Sequence, residues 1–174
     1  MILPIVGYGH PTLRKVAQPI NKDYPNLKEL VANMYETMYN ADGVGLAAPQ
    51  VDLSIRVVVI GFRPYDEKTD TYGEVTEQHT LINPEIVEFG AQKDYFNEGC
   101  LSVPDIHEDV LRPTTVKVHI NAQLFKTINK SEIFLASEKV YKALCHFFAY
   151  IIYSCKLLFF SRNNRVNISK SFCY

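Results

Sequence analysis

The positions of glycine and proline restrict where this chain can turn. All 8 glycines lie at or before Gly99 and all 9 prolines at or before Pro113, although the chain continues to residue 174. These two residue types are the strongest local signals for turns. The first 113 residues are therefore typical of a fold with many tight turns, whereas the rest of the chain has a different composition.

The charge of the chain divides at the same position. Residues 1–113 carry a net charge of −8 and residues 114–174 a net charge of +7, which together give the formal net charge of −1. The overall composition, 47% hydrophobic and 21% charged, is that of one globular domain. Because the cysteines form no CxxC pair and residues 1–4 lack the features of a secretory signal, we expect a cytoplasmic protein with reduced thiols.

The hydrophobic pattern predicts an α+β fold with short strands and one early helix. Apolar residues recur at helical spacing from Leu27 to Met38, which predicts an amphipathic helix that ends between Asn40 and Gly43. Strands are expected at four places: residues 55–60, 80–83, 85–89 and 114–121. Loops are expected at residues 63–78 and 90–100.

Residues 43–50 read GVGLAAPQ and bring two glycines, small residues and a glutamine together directly after the predicted helix. Glycines let a ligand approach the backbone closely, and the Gln50 amide can donate a hydrogen bond to a carbonyl oxygen that gains charge. A tight turn from helix to strand, with Gln50 in solvent, explains the same residues. Both interpretations stay open at this point.

Residues 98–102 read EGCLS and place Cys100 after an acidic residue and a glycine. A thiolate there can bind a metal or act as a nucleophile beside a basic partner, for which His107 and His119 are candidates. A small buried hydrophobic residue is the third interpretation. His107 does not begin a zinc-binding HExxH motif, because the fourth residue after it is Leu111.

Taken together with GHPTLRKVA at residues 9–17, these two segments strongly resemble the bacterial peptide deformylases over about residues 1–121. The resemblance implies short antiparallel sheets packed around a C-terminal helix. It also implies a metal-dependent enzyme that removes the N-terminal formyl group of nascent polypeptides, with iron, zinc or nickel as the metal. Formylated nascent peptides are the partners that it predicts, with the ribosome as a further candidate.

The resemblance also assigns roles to individual residues. In that family one cysteine and two histidines hold the metal, and the cysteine matches Cys100. Gln50 and the backbone N–H of Leu101 match the groups that stabilise the oxyanion during catalysis. The predicted substrate-binding residues lie in the same two segments: Val44, Gly45, Gln50, Glu98 and Leu101.

The HExxH motif that supplies the two histidines and a general base in that family is absent from this sequence. After His119 only His146 remains, and Phe147 and Tyr150 occupy the glutamate and second histidine positions. We therefore predict a deformylase-like region at residues 1–122 and an atypical apolar, basic segment at residues 123–174 that replaces the normal C-terminal helix. A shift of reading frame between about residues 121 and 129 is the hypothesis that explains this change, and negligible deformylation is its expected consequence.

Two alternatives follow from the altered C-terminal segment. The chain is either a catalytically dead module that binds formylated peptides, or a protein attached to a surface by its basic tail. Residues 137–160 fit helical spacing but are apolar nearly all round. The most apolar part, residues 144–160, is short for a membrane span and contains Lys156, so we expect no membrane insertion. The sequence contains no nucleic-acid-binding motif.

Overall fold

A computed structural model describes residues 1–120 and, beyond them, the backbone of three short strands. The described residues form one α-helix, two short 3-10 helices and twelve strands. The helix α1 spans Leu27–Asn40, and the 3-10 helices span Pro11–Arg14 and Ala48–Val51. The strands are β1 (Gly45–Ala47), β2 (Val57–Phe62), β3 (Tyr65–Asp66), β4 (Thr71–Tyr72), β5 (Glu77–Ile82), β6 (Glu85–Phe89), β7 (Lys93–Cys100), β8 (Val103–Pro113), β9 (Val116–His119), β10 (Glu132–Leu135), β11 (Phe159–Phe160) and β12 (Val166–Asn167).

The helix α1 confirms the prediction from hydrophobic spacing. Its apolar side chains Leu27, Val31, Met34 and Met38 are buried, and they lie on one face because residues three or four apart are neighbours on a helix. After the last turn, the amide of Gly43 donates to the carbonyl of Met38 at 2.9 Å. This bond turns the chain sharply from the helix into the glycine-rich segment.

A three-stranded antiparallel sheet in the order β1-β2-β5 packs against α1. All six residues of the central strand β2 are buried, which agrees with its unbroken run of apolar residues and Gly61. Val57 and Val59 of β2 share a core with Met34 and Met38 of the helix. The core of the described region therefore lies between α1 and this sheet.

A long antiparallel ladder forms the second half of the described region. Strand β6 pairs with β9, and β7 pairs with β8. Two backbone bonds link these pairs where they adjoin: Gly90 donates to the carbonyl of Thr115, and Thr114 donates to the carbonyl of Gln92, both at 2.8 Å. Strand β10 pairs with the other edge of β9, so part of the segment after residue 122 joins this sheet.

Parts of the two predicted loops form strands in the structure, and the predictions were wrong for those parts. Residues 63–78 contain the β3–β4 hairpin and the start of β5, and residues 93–100 form β7. Only Phe96 and Glu98 of β7 are buried, so its sequence lacks the apolar alternation that marks a strand. Backbone pairing with β8 holds it extended, and such pairing has no local sequence signal.

Part of the chain falls outside this description. The helical spacing of residues 137–160 lies outside the described residues except for its last two, which form β11. Among the helices in the described part, none has the length and hydropathy that crossing a bilayer requires.

Candidate active site

A cleft of about 620 Å³ opens between the segment after α1 and the hairpin formed by β7 and β8. Three stretches of chain supply most of its surface: residues 41–45, 97–101 and 103–107. The six residues to which the sequence assigned functions all line it, and these are Val44, Gly45, Gln50, Glu98, Cys100 and Leu101. The fold thus brings both motif segments to one cleft, while the individual roles of these residues stay predictions.

Gln50 has a fixed orientation inside this cleft. It lies in the 3-10 helix Ala48–Val51, and only 3% of its surface is exposed. Its Oε1 accepts a hydrogen bond from the amide of Ala47 at 3.0 Å, so its Nε2 is turned the other way. Nε2 lies 3.3 Å from Oγ of Ser102 and 3.9 Å from Sγ of Cys100. The alternative of a solvated glutamine is therefore wrong, because this amide is buried and points its N–H groups at the second motif.

Cys100 is the last residue of β7, at an irregularity in the ladder. The register shifts between Gly99 and Cys100, and Cys100 then pairs with Val103 across the tight turn. Irregularities of this kind redirect a side chain relative to a regular strand. The thiol is partly exposed and lies on the cleft, so it is not simply a buried hydrophobic residue.

The N-terminal segment connects the two motifs through its backbone. The amide of Val6 donates to the carbonyl of Gln50, and the amide of Tyr8 donates to the carbonyl of Ser102, both at 2.8 Å. One extended stretch therefore holds the glutamine and the cysteine segment at a fixed separation. Ser102, for which no separate role was predicted, is buried and bonds to both of the other segments.

Gly43 allows the two sides of the cleft to approach each other closely. A Cβ atom built at Gly43 would lie 2.8 Å from Cδ1 of Leu101 and 3.3 Å from the carbonyl oxygen of Met38. Contacts this short require a neighbour to move. The first glycine of GVGLAAPQ is thus explained by the lack of room for a side chain between this position and Leu101.

Glu98 lines the cleft, and its carboxylate is bound by an arginine. Arg112 donates from Nε and Nη2 to the two carboxylate oxygens, each at 3.1 Å, and the side chain of Glu98 is 1% exposed. Bidentate pairs of this kind are strong and orient both side chains. Arg112 was not predicted as a site residue, because its charge opposite Glu98 on the neighbouring strand can be recognised only once the register of the hairpin is known.

The structure separates the two candidate histidines. His107 lines the cleft and pairs with Gly99 across the hairpin, where a Cβ atom on Gly99 would lie 2.6 Å from Cε1 of the imidazole. His119 lies on β9 opposite Glu85 and does not line the cleft. Of the two, only His107 belongs to the surroundings of Cys100.

The described residues do not form a complete metal site. Within residues 1–120, no group of three or more His, Cys, Asp and Glu side chains is placed to hold a metal ion. The amide nitrogen of Gln50 that faces Cys100 is a hydrogen-bond donor and not a metal ligand. A catalytic zinc or iron site needs about three protein ligands, so this set does not fit one. His146 lies outside the described residues.

Comparison with protein families and curated relatives gives a consistent result. The family model described as "Polypeptide deformylase" matches residues 2–138. A peptide deformylase of Flavobacterium johnsoniae is 52% identical over 139 residues, which cover 77% of this chain and 70% of that relative. One from Flavobacterium psychrophilum is 50% identical over 123 residues, which cover 68% of this chain and 63% of the relative. The chain thus spans about two thirds of the length of these relatives.

Solved structures with the same fold belong to the same group of proteins. A class I type b peptide deformylase from Acinetobacter baumannii, bound to Met-Ala-Ser, has a TM-score of 0.72 and 28% identity, with 87% of this chain and 93% of that chain covered. The peptide deformylase from Thermotoga maritima has a TM-score of 0.70 and 34% identity over 87% of this chain and 92% of that one. These likenesses confirm the predicted α+β architecture.

Proposed function

The chain belongs to the polypeptide deformylase family, and from that premise we propose that its cleft binds the formylated N-terminus of nascent peptides. Members of this family are enzymes that remove the N-terminal formyl group. The observation that carries the proposal is the orientation of Gln50, whose Nε2 points at Cys100 inside the cleft. A donor held in this way is suited to a carbonyl oxygen.

The proposed contacts follow from the residues that line the cleft. The Nε2 group of Gln50 and the backbone N–H of Leu101 donate to the formyl oxygen, and the bond from Ala47 keeps the Gln50 amide from rotating. Val44 and Gly45 lie where the peptide backbone passes. Glu98 contributes by orienting its own strand, because Arg112 binds its carboxylate.

We further propose that this chain, as written, hydrolyses the formyl group at a negligible rate. The family is one of metalloenzymes, with iron, zinc or nickel as the expected metal and Cys100 as the one ligand that matches in the described residues. The sequence contains no HExxH, so a second histidine ligand and the glutamate base are not supplied by that motif. We propose that a change of reading frame between about residues 121 and 129 accounts for this loss.

A peptide-binding experiment tests the first proposal. Formyl-Met-Ala-Ser with a C-terminal fluorophore is expected to bind more tightly than the same peptide without the formyl group. The substitution Gln50→Met removes the donor and should weaken binding of the formylated peptide about fivefold, the effect of one hydrogen bond. Gln18→Met is the matched control, since Gln18 is exposed, donates its amide to the carbonyl of Val16 and does not line the cleft. Equal affinity for both peptides would contradict the proposal.

Formate release tests the second proposal. The purified chain, supplied with Fe²⁺, Zn²⁺ or Ni²⁺, is expected to release formate at the background rate. Normal turnover together with one metal ion per chain would show that the proposal of inactivity is wrong. Resequencing the gene beyond the codon of Val116 tests the frame directly, because an HExxH in another frame would establish the shift.

The place in the cell follows from the proposed partner. Formylated chains emerge from ribosomes, so we propose that the protein acts in the cytoplasm and close to translating ribosomes. Sedimentation of the protein with ribosomes from a lysate is the measurement, and a protein that remains in the supernatant would end the ribosome part of this proposal. Attachment to a surface by residues 123–174 concerns a segment that lies mostly outside the described residues.

A further inference from the structure

Arg63 lies between two aromatic rings next to the cleft. Its guanidinium carbon is 4.6 Å from the ring centroid of Tyr39 and 4.5 Å from that of Tyr72. Tyr39 belongs to α1 and Tyr72 to β4, so the arginine joins the helix to the β3–β4 hairpin. Cation–π contacts of this kind are favourable, and a planar guanidinium can use both of its faces.

The same guanidinium binds the end of α1. Nη2 of Arg63 donates to the carbonyl oxygen of Tyr39 at 2.9 Å and lies 3.7 Å from Oδ1 of Asp42. Carbonyls in the last turn of a helix lack partners within the helix, and a cation is favourable there. Arg63 therefore gives a carbonyl group at the end of the helix a hydrogen-bond partner and forms an ion pair with Asp42.

Asp42 belongs to residues 41–44, which we call the lip of the cleft. All four residues of the lip line the cleft. Asp42 has a left-handed backbone conformation with φ of 52°, which is uncommon outside glycine. Four backbone bonds also hold the lip: Ala41 donates to Thr37 at 3.1 Å, Asp42 to Tyr39 at 3.3 Å, Gly43 to Met38 at 2.9 Å, and Gly61 to the carbonyl of Val44 at 3.1 Å. Arg63 adds a side-chain link between Asp42, in the middle of the lip, and the carbonyl of Tyr39 at the end of the helix.

We infer that Arg63 is a positioning residue for the peptide-binding cleft. It holds the lip in the conformation that receives the peptide, although Arg63 itself does not line the cleft. The inference rests on the proposed function, since it assigns this residue to the binding of formylated peptides. Lysine is not equivalent to it, because an ammonium group lacks the planar faces that a guanidinium places against aromatic rings.

Arg56 provides a matched control within the same protein. Its Nη2 donates to the carbonyl of Pro84 at 2.6 Å and to Glu85 at 3.2 Å, and its side chain is 17% exposed, compared with 22% for Arg63. Neither Arg56 nor its two partners line the cleft. Both arginines thus bind one carbonyl and one carboxylate, but only Arg63 does so at the lip.

The test compares Arg63→Met with Arg56→Met in the full chain. Binding of formyl-Met-Ala-Ser is measured by fluorescence anisotropy, and hydrogen exchange reports the amides of Gly43 and Gly61. If the lip of a variant has the binding conformation in only about one tenth of the molecules, the affinity of that variant for the peptide falls about tenfold. We expect this fall, and faster exchange at both amides, for Arg63→Met alone. Both variants should lose similar thermal stability.

Each outcome bears on one of the two proposals. Equal affinities and equal exchange in the two variants would overturn the role of Arg63. Failure of the unsubstituted chain to bind the peptide, with faster exchange only in Arg63→Met, would reject the proposed function and leave Arg63 as the residue that holds the lip. Full binding by Arg63→Lys would contradict the requirement for a planar guanidinium, because an ammonium group, which can still donate to the Tyr39 carbonyl, would then be sufficient.

Discussion

The two sides of the cleft depend on different interactions. The side that carries Gln50 rests on the apolar core between α1 and the β1-β2-β5 sheet, where all six residues of β2 are buried. The side that carries Cys100 is a polar hairpin in which β7 buries only Phe96 and Glu98. Burial of apolar surface stabilises the first side, whereas backbone pairing and one buried ion pair fix the second. The same cleft thus combines a hydrophobic support with an electrostatic one.

The largest effect is expected when the ion pair of the hairpin is broken. Glu98→Gln leaves Arg112 without its carboxylate in a buried position, and such changes cost about 3–5 kcal/mol. Glu85→Gln is the matched control, because Glu85 also pairs with an arginine but its side chain is 61% exposed. Urea unfolding should show a loss for Glu85→Gln of at most about 1 kcal/mol. Similar losses of unfolding free energy for the two variants would show that burial of the ion pair does not determine how much it contributes to stability.

The core side is tested by a substitution in α1. Met34→Ala removes a side chain with no exposed surface, and the expected loss in the free energy of unfolding is about 3 kcal/mol. Lys28→Ala, on the exposed face of the same helix, is the control and should change stability by about 0.5 kcal/mol or less. Chemical denaturation measures both. A loss below about 1 kcal/mol for Met34→Ala would mean that this side does not depend on the core as described.

The smallest effect is expected where the two sides meet. Gly43→Ala places a methyl group 2.8 Å from Cδ1 of Leu101, and the leucine side chain can move to relieve most of the contact. We expect a loss of about 1 kcal/mol, at the low end of the range for overpacking. Gly7→Ala is the control, since its new atom would lie 4.0 Å from the nearest neighbour, the carbonyl oxygen of Ser102. Unchanged melting temperatures for both variants would show that the sides are not in close contact at Gly43.

The sequence predicted the core side of the molecule far better than the hairpin side. Helix α1 and strand β2 carry regular apolar patterns, and such patterns record burial directly. Strand β7 was predicted as a loop because its residues are mostly polar, and its extended conformation depends on pairing with the next strand, β8, rather than on a regular apolar pattern. The bonds of Arg63 and Arg112 were invisible for the same reason, since both depend on which segments become neighbours.

The sequence predicted which residues form the site but not how their side chains are arranged. Every residue of the two motifs to which a function was assigned lies in the cleft. The motifs did not predict the orientation of the Gln50 side chain or the position of His107 beside Gly99. The match of the family model through residue 138 extends the likeness beyond residue 121. The boundary at residue 122 and the roles of the individual site residues stay predictions.

The bonds of the N-terminal segment also constrain how the protein is made. Tyr8 and Ser102 meet although most of the described chain separates them, and Val6 likewise reaches Gln50. Contacts between residues that are far apart in the chain cost loop-closure entropy and slow folding. During synthesis, the bond between Tyr8 and Ser102 cannot form until residue 102 has left the ribosome. Helix α1 and the strands of the β1-β2-β5 sheet all precede that residue, so their whole sequence is available before this part of the cleft can be completed.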